Sequence, residues 1–513
     1  MSELQKDFLF VLVKSLSTSE KRQFKLYVNR LGINVDAKFL LLFSELDKMK
    51  EYNYNEDIIL EKKISSKQQL SNLKAHLYKQ ILVSLRLNPS HQNNRIQLRE
   101  QLDFATILYQ KGLHKQALKI LDKTKQSALE LDEKTISSEI IELEKVIESQ
   151  FITRSIDGRA EELIRQSSEI SRQNSYATKL SNLSLKLYSE MLTHGYIKND
   201  EDRDKILELF DRKTAKIDLK KLNFTEKLWY YKAHVWKNQL LQDYKYTLKY
   251  AYQWVELFHQ NPEMIKSHPV WYIKGNTYLF KILFLYGNVQ RIEESFETFS
   301  NVVKSEVFVH NENSQSLIFL TYYNTMMNLY FIKGEFFKGV KMIPELELKM
   351  TKHRDKIDEH HFLILYLKIA SMYFGSKNYH DTIKYGLKII NSKGNVQEEL
   401  LFHTRILILM AKFEAGLDED YDDFVKNTMK FTKKMKNPSE LHYKIVNFFS
   451  EVNDNNPADQ VAAFKEFGRQ LEESGKNQYD KRTLVYIDIH GWIKSKLRNV
   501  DVIEIIKEKV KVK

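Results

Sequence analysis

Cysteine is absent from this chain of 513 residues. That excludes disulfides, thiolate metal sites, iron–sulfur clusters and cysteine nucleophiles. Glycine and proline are scarce, 15 and 6 residues, about 4% of the chain against about 12% in an average protein. β-Sandwiches, barrels and propellers need both at regular intervals to turn the chain, so the composition argues strongly against an all-β fold. The phosphate-cradling patterns G-x-x-x-x-G-K-S/T and G-x-G-x-x-G are missing, as is the zinc motif H-E-x-x-H, and a nucleotide loop has no candidate. The only apolar run near the start, Phe8 to Val13, is too short and too acidic in its flanks for a secretory signal. With no cysteine, a reducing cytoplasm is the expected compartment. The longest uncharged stretch, Asn313 to Ile332, contains eight polar residues. It reads as a buried helix, so no transmembrane segment is expected.

Hydrophobic residues make up 42%, including 29 Phe and 28 Tyr, enough for a large core. The net charge of +12 is a modest bias towards acidic partners. Helical periodicity dominates. Leu70, Leu73, Leu77, Ile81 and Leu85 mark one face of a helix, and some two dozen helices are expected. Ser17 and Glu20 have capping-box spacing. A polar break at 88–94 containing Pro89 separates a helical N-terminal module, 1–87, from a long array, 95–452. A second break at Asn453–Pro457 opens a C-terminal helical cap, 453–513.

The middle zone repeats. Ala105, Leu108, Gly112 and Ala117 are spaced three, four and five residues apart, as are Met327, Tyr330, Gly334, Gly339 and Ala370, Tyr373, Lys377, Thr382. Small residues at the outer positions let two antiparallel helices approach. The third position falls in the turn between them, where glycine tolerates positive φ. This spacing resembles the tetratricopeptide (TPR) helix-pair signature. Marks for the second helix at His114, Arg159, Asp202, Tyr244, Val289, Phe336, Tyr379 and Tyr421 are 45, 43, 42, 45, 47, 43 and 42 residues apart, longer than the TPR period of about 34. The expected fold is all-α: a right-handed α-solenoid of antiparallel helix pairs, TPR-like, with about 42–47 residues per unit.

Few constellations point to chemistry. On a continuous helix His353, Ile357 and His360 would share a face, beside Asp358, Glu359 and His361; ordinary solvated histidines are the preferred reading. The run Asp418-Glu419-Asp420-Tyr421-Asp422-Asp423 starts like a calcium loop, but Asp423 replaces the required glycine and Met429 the required glutamate. Acids favoured at a helix N-terminus explain it. No spacing indicates a catalytic set, so no enzyme activity and no cofactor are expected.

Two features address partners. Residues 65–99 hold Lys67, Lys74, Lys79, Arg86, Arg95 and Arg99 and no acid. Gln68, Asn72, Lys79 and Arg86 fall on one stripe opposite Leu73 and Leu77, as on a helix that faces nucleic acid. A second basic cluster, Lys426, Lys430, Lys433, Lys434 and Lys436, reads as a helix C-terminus. Trp229, Trp236, Trp254 and Trp271 fall within 43 residues among many tyrosines. Expected first helices around 224–240, 270–286 and 312–333 would line the concave face. There Trp229, Tyr230, Trp236 and Tyr278 are the candidate anchors for a protein or peptide, with Ala233 and Leu283 facing the core. The expected function is a non-catalytic cytoplasmic scaffold that binds a partner protein or peptide. The alternative is a nucleic-acid-linked regulator, a layout that resembles bacterial regulators joining a helix-turn-helix domain to TPR-like repeats.

Overall fold

The computed structural model describes residues 7–30, 36–49, 67–150, 158–197, 199–215, 217–392, 397–417, 419–436, 438–453, 457–474 and 488–511. Among these residues there are twenty-five α-helices, two 3-10 turns and no strand. The chain divides into two compact units, Met1–Ser127 and Ala128–Lys513.

The first unit holds α1 (Phe8–Ser15), α2 (Thr18–Arg30), α3 (Asp36–Lys48), α4 (Lys67–Arg86), α5 (Asn94–Gln110) and most of α6 (His114–Glu130). Asp7 caps α1, accepting from the N–H groups of Leu9 and Phe10. The capping box expected at Ser17 is formed. Ser17 N–H donates to Glu20 Oε2 at 2.6 Å, and Glu20 N–H donates to Ser17 Oγ at 3.3 Å. α1, α2 and α3 each pack on α4 around Leu9, Val13, Phe24, Phe43, Leu77 and Ile81. The polar break holds a 3-10 turn, Pro89–His91, and His91 Nε2 lies 2.6 Å from Glu20 Oε1.

The second unit runs through α7 (Lys134–Gln150), α8 (Arg159–His194), α9 (Asp200–Thr214), α10 (Phe224–Leu240), α11 (Tyr244–His259), α12 (Glu263–Ser267), α13 (Pro269–Tyr286) and α14 (Val289–Val302). It continues with α15 (Glu306–Val309), α16 (Glu312–Lys333), α17 (Phe336–Lys352), α18 (Glu359–Gly375), α19 (Tyr379–Ile390), α20 (Glu398–Ala415) and α21 (Tyr421–Lys434). Last come α22 (Glu440–Asn453), α23 (Pro457–Ser474), α24 (Ile489–Arg498) and α25 (Val502–Lys511). Seven of the eight positions marked as second-helix starts begin a helix, and Asp202 lies in the first turn of α9. The departure is α8. It runs unbroken for 36 residues where the spacing implies a hairpin. No glycine or proline occurs between Gly158 and Gly195, the residues that bound it, so nothing stops the helix.

The three repeat turns share a left-handed residue, which is glycine in two of them and a lysine in the third. Gly112, Gly334 and Lys377, the third positions of the three repeats, have φ of 75°, 64° and 64°. α10 packs on α11, α13 on α14, α16 on α17, α18 on α19 and α20 on α21. The first helices of these pairs also touch in succession, α13 on α16, α16 on α18 and α18 on α20. The small outer positions are buried, Ala105, Ala117, Gly339, Ala370 and Thr382 among them. A Cβ on Gly339 would overlap the Met372 side chain, so glycine sets how closely α17 and α18 approach. α22, α23, α24 and α25 pack in order, and α25 reaches α16. Asn313–Ile332 lies within α16. No helix among the described residues is long and apolar enough to cross a membrane.

Candidate binding surface

The aromatic belt is built on α10, α11 and α13. α10 begins where the Asp132 carboxylate accepts from Thr225 N–H at 2.7 Å, a cap supplied from outside, since Asn223 makes no side-chain cap bond. One turn on, Trp229 lies half-buried and edge-to-face with Trp271 of α13, centroids 5.2 Å apart. The Lys232 ammonium sits over both indoles, 4.4 Å from Trp229 and 4.1 Å from Trp271, a double cation–π contact. Burial, with the nearby charge of Lys274, pushes Lys232 down to about 8.

The four candidate anchors separate into two kinds. Trp229 and Tyr230 are half-exposed. Trp236 is 6% exposed and packs between Tyr188 of α8 at 4.9 Å and Tyr278 at 5.4 Å. Tyr278 is enclosed by Trp236 and Trp254, and burial drives its hydroxyl far above the usual range. Ala233 and Leu283 are buried, as their core positions require. Between these sites, His234 stacks on Tyr250 at 3.9 Å and meets Tyr230 edge-on at 4.4 Å. Neither ring nitrogen has a hydrogen-bond partner. Burial, with the charges of Lys237 and Lys249, pushes it down to about 3.

Beside the belt is an open cavity of about 580 Å³, within the size range of small-molecule sites. Arg203 of α9, Lys237 of α10, Tyr244, Tyr246 and Tyr250 of α11 and Tyr286 of α13 line it. Asp243 also borders it, but its Oδ1 accepts from Tyr246 N–H as the α11 cap. The chemistry offered is cationic and phenolic. The tyrosines are visible in the sequence, whereas the placing of Arg203 and Lys237 on one cavity has no sequence signal.

In the first unit, the basic stretch does not act as one set. Lys74 is paired with Asp7 at 2.9 Å and largely buried. Lys79 and Arg86 are exposed with Asn72 on α4, opposite the buried Leu77. Arg95 and Arg99 are exposed on α5. The side chains of Lys67 and Gln68 lie outside the described residues.

Elsewhere the chemistry-bearing side chains have structural roles. α17 ends at Lys352 and α18 starts at Glu359, so His353 and His360 do not share a helix. His353 Nδ1 lies 3.1 Å from Ser316 Oγ, and its ring stacks on Phe319. Asp422 and Asp423 occupy the first turn of α21, and Lys433 and Lys434 its last turn; Asp418 lies outside the described residues. No group of three or more potential metal ligands occurs among the described residues. One arrangement escaped the sequence reading. Ser439 Oγ lies 2.8 Å from His442 Nδ1, and His442 Nε2 lies 3.3 Å from Glu399 Oε2. Ser439 N–H also donates to the same Nδ1 at 3.0 Å. The imidazole thus closes the N-terminus of α22, in the manner of a capping box.

No protein family, no curated protein and no solved structure matches the chain.

Proposed function

We propose that this protein is a non-catalytic scaffold or adaptor, an α-solenoid of TPR-like helix pairs that binds a partner protein or peptide. The observation that carries this reading is the half-exposed Trp229–Trp271 pair closed on Lys232, between α10 and α13, at the start of a run of first helices that touch in succession from α13 to α20. Large rigid aromatics beside a cation are the side chains that anchor protein interfaces. The test is capture of partners by the tagged full chain from its own cells, with and without nuclease. A partner enriched equally in both arms, and lost from a Trp229→Ala variant of unchanged melting temperature, supports the reading. Capture that nuclease abolishes refutes it.

A second reading rests on the exposed Asn72, Lys79 and Arg86 stripe of α4. A nucleic-acid-linked regulator would contact phosphates there. Lys79→Glu with Arg86→Glu then abolishes binding to DNA or RNA, and affinity falls steeply with salt. No binding at low salt removes this reading.

A further inference from the structure

In the middle of the second unit three successive first helices are nearly free of acids, whereas α10 holds Glu226 and α20 holds Glu398, Glu399 and Glu414. The first helices α13, α16 and α18 carry between them two acids, Glu312 and Glu359, both in first turns. Glu312 is paired with Lys356. The second helices hold the acids instead. Glu293 of α14, Glu345 and Glu347 of α17 and Asp381 of α19 engage Lys333, Lys349, Lys388 and Lys384.

Beside this acid-poor layer stand four lysines, Lys232 of α10, Lys274 and Lys281 of α13 and Lys368 of α18. None has a carboxylate within ion-pair distance among the described residues. Lys232 lies between the two indoles. Trp271, Lys274, Tyr278 and Lys281 follow at helical spacing along one stripe of α13. Thr277 on the same side meets Thr321 of α16 at 2.8 Å. One turn further along α16, Lys368 of α18 donates to the Asn324 carbonyl at 3.2 Å and to Asn328 Oδ1. The carboxylate whose charge reaches Lys274 is that of Asp358, and it already accepts from His361 N–H at 3.1 Å and lies 2.6 Å from His361 Nδ1. Lys281 is exposed and the other three are half-buried.

Cations half-buried without counter-ions destabilise the free protein. Burial, with Lys281 near it, pushes Lys368 down to about 7. An anion supplied from outside would offset that cost. Its shape follows from the spacing. Lys274 and Lys281 lie about 10 Å apart along α13 at 1.5 Å per residue. Each step to the next first helix adds about 8–10 Å. A span of about 20 Å exceeds a single phosphate, and an extended chain covers it in about six residues. A carboxylate on a one- or two-carbon stem can reach a recessed ammonium, whereas phosphates of a nucleic acid are carried on a bulky backbone.

We infer that the inner faces of α10, α13, α16 and α18 bind an extended acidic protein segment, whose carboxylates pair with Lys232, Lys274, Lys281 and Lys368. This rests on the partner-binding reading and names the chemistry of the partner. The test is fluorescence anisotropy on the full chain at low salt, with labelled octaglutamate, octaglutamine and a thymidine dodecamer as probes. Octaglutamate should bind and octaglutamine should not. Lys274→Gln with Lys281→Gln should weaken octaglutamate about tenfold or more. Lys368→Met should weaken it too while the melting temperature holds or rises, which a merely structural lysine would not allow. Lys341→Gln, an exposed change on α17, should leave binding unchanged. Equal binding of octaglutamate and octaglutamine, equal loss on Lys341→Gln, or tighter binding of the dodecamer at the same lysines overturns the inference. If octaglutamate fails while partner capture survives Lys274→Gln/Lys281→Gln, the acidic groove is wrong and the scaffold stands. If octaglutamate binds with the expected lysine dependence and no partner is captured, the scaffold reading fails instead.

Discussion

Replacing Lys134 by Met should cost the second unit about 3–5 kcal/mol, because it strands a charge inside the protein. Lys134 is 6% exposed, and its ammonium pairs with Glu226, which is fully buried, and with Asp132 at 2.8 Å. Asp132 in turn caps α10 through Thr225 N–H. The cluster thus ties the start of α7 to the start of α10. Burial raises Glu226 above the ordinary carboxylate range, and Lys134 pulls it back only in part. Glu226→Leu alone should cost less, about 1–3 kcal/mol, since Lys134 keeps Asp132 as a partner. The double variant Lys134→Met/Glu226→Leu should cost far less than the two singles together, because neither buried charge remains to be desolvated. It should not be fully neutral, since Asp132 loses a partner and keeps only its capping bond. Urea unfolding followed by circular dichroism at 222 nm measures all four proteins. Single variants that each cost less than about 1 kcal/mol, the range of exposed pairs, would refute the assignment of a buried pair. So would a double variant that costs the full sum.

Other outcomes follow from the same packing. Trp236→Ala should cost about 3–5 kcal/mol of stability, lowering the melting temperature by several degrees, while Trp229→Ala should leave it nearly unchanged; equal shifts would contradict their different burial. His234 titrates near 3 in the folded chain, below about 6.5 unfolded. Its contribution is therefore intact above pH 6.5 and is lost as pH falls towards 3, at up to about 1.4 kcal/mol per pH unit. His234→Phe should remove that slope and match or exceed wild-type stability at pH 7, since both ring nitrogens lack partners; an unchanged slope would assign the acid sensitivity elsewhere.

Much of the fold is local and was therefore legible along the chain. Few glycines and prolines leave long helices as the outcome, and Gly112 and Gly334 sit in turns where φ is positive. The Ser17–Glu20 cap spans three residues, and seven of the eight marked positions start helices, because capping and turn geometry depend on neighbours in sequence. The binding surface is different. Trp229 and Trp236 are seven residues apart, nearly two turns, and so share one stripe of α10. Only the tertiary structure separates them: α8 lays Tyr188 over Trp236, while Trp229 meets Trp271 at a half-open edge. The same holds for charge. Lys74 reads as a free basic residue until Asp7, 67 positions away, comes within 2.9 Å. Lys134 finds Glu226 across 92 positions. Conversely, nothing local in the sequence marks Lys274 and Lys368, which become half-buried, with no carboxylate within ion-pair distance among the described residues, only when α13, α16 and α18 pack. Helix starts and turns are decided by the nearest few residues. Which faces are covered, and which charges meet a partner, is decided by helices far apart in sequence.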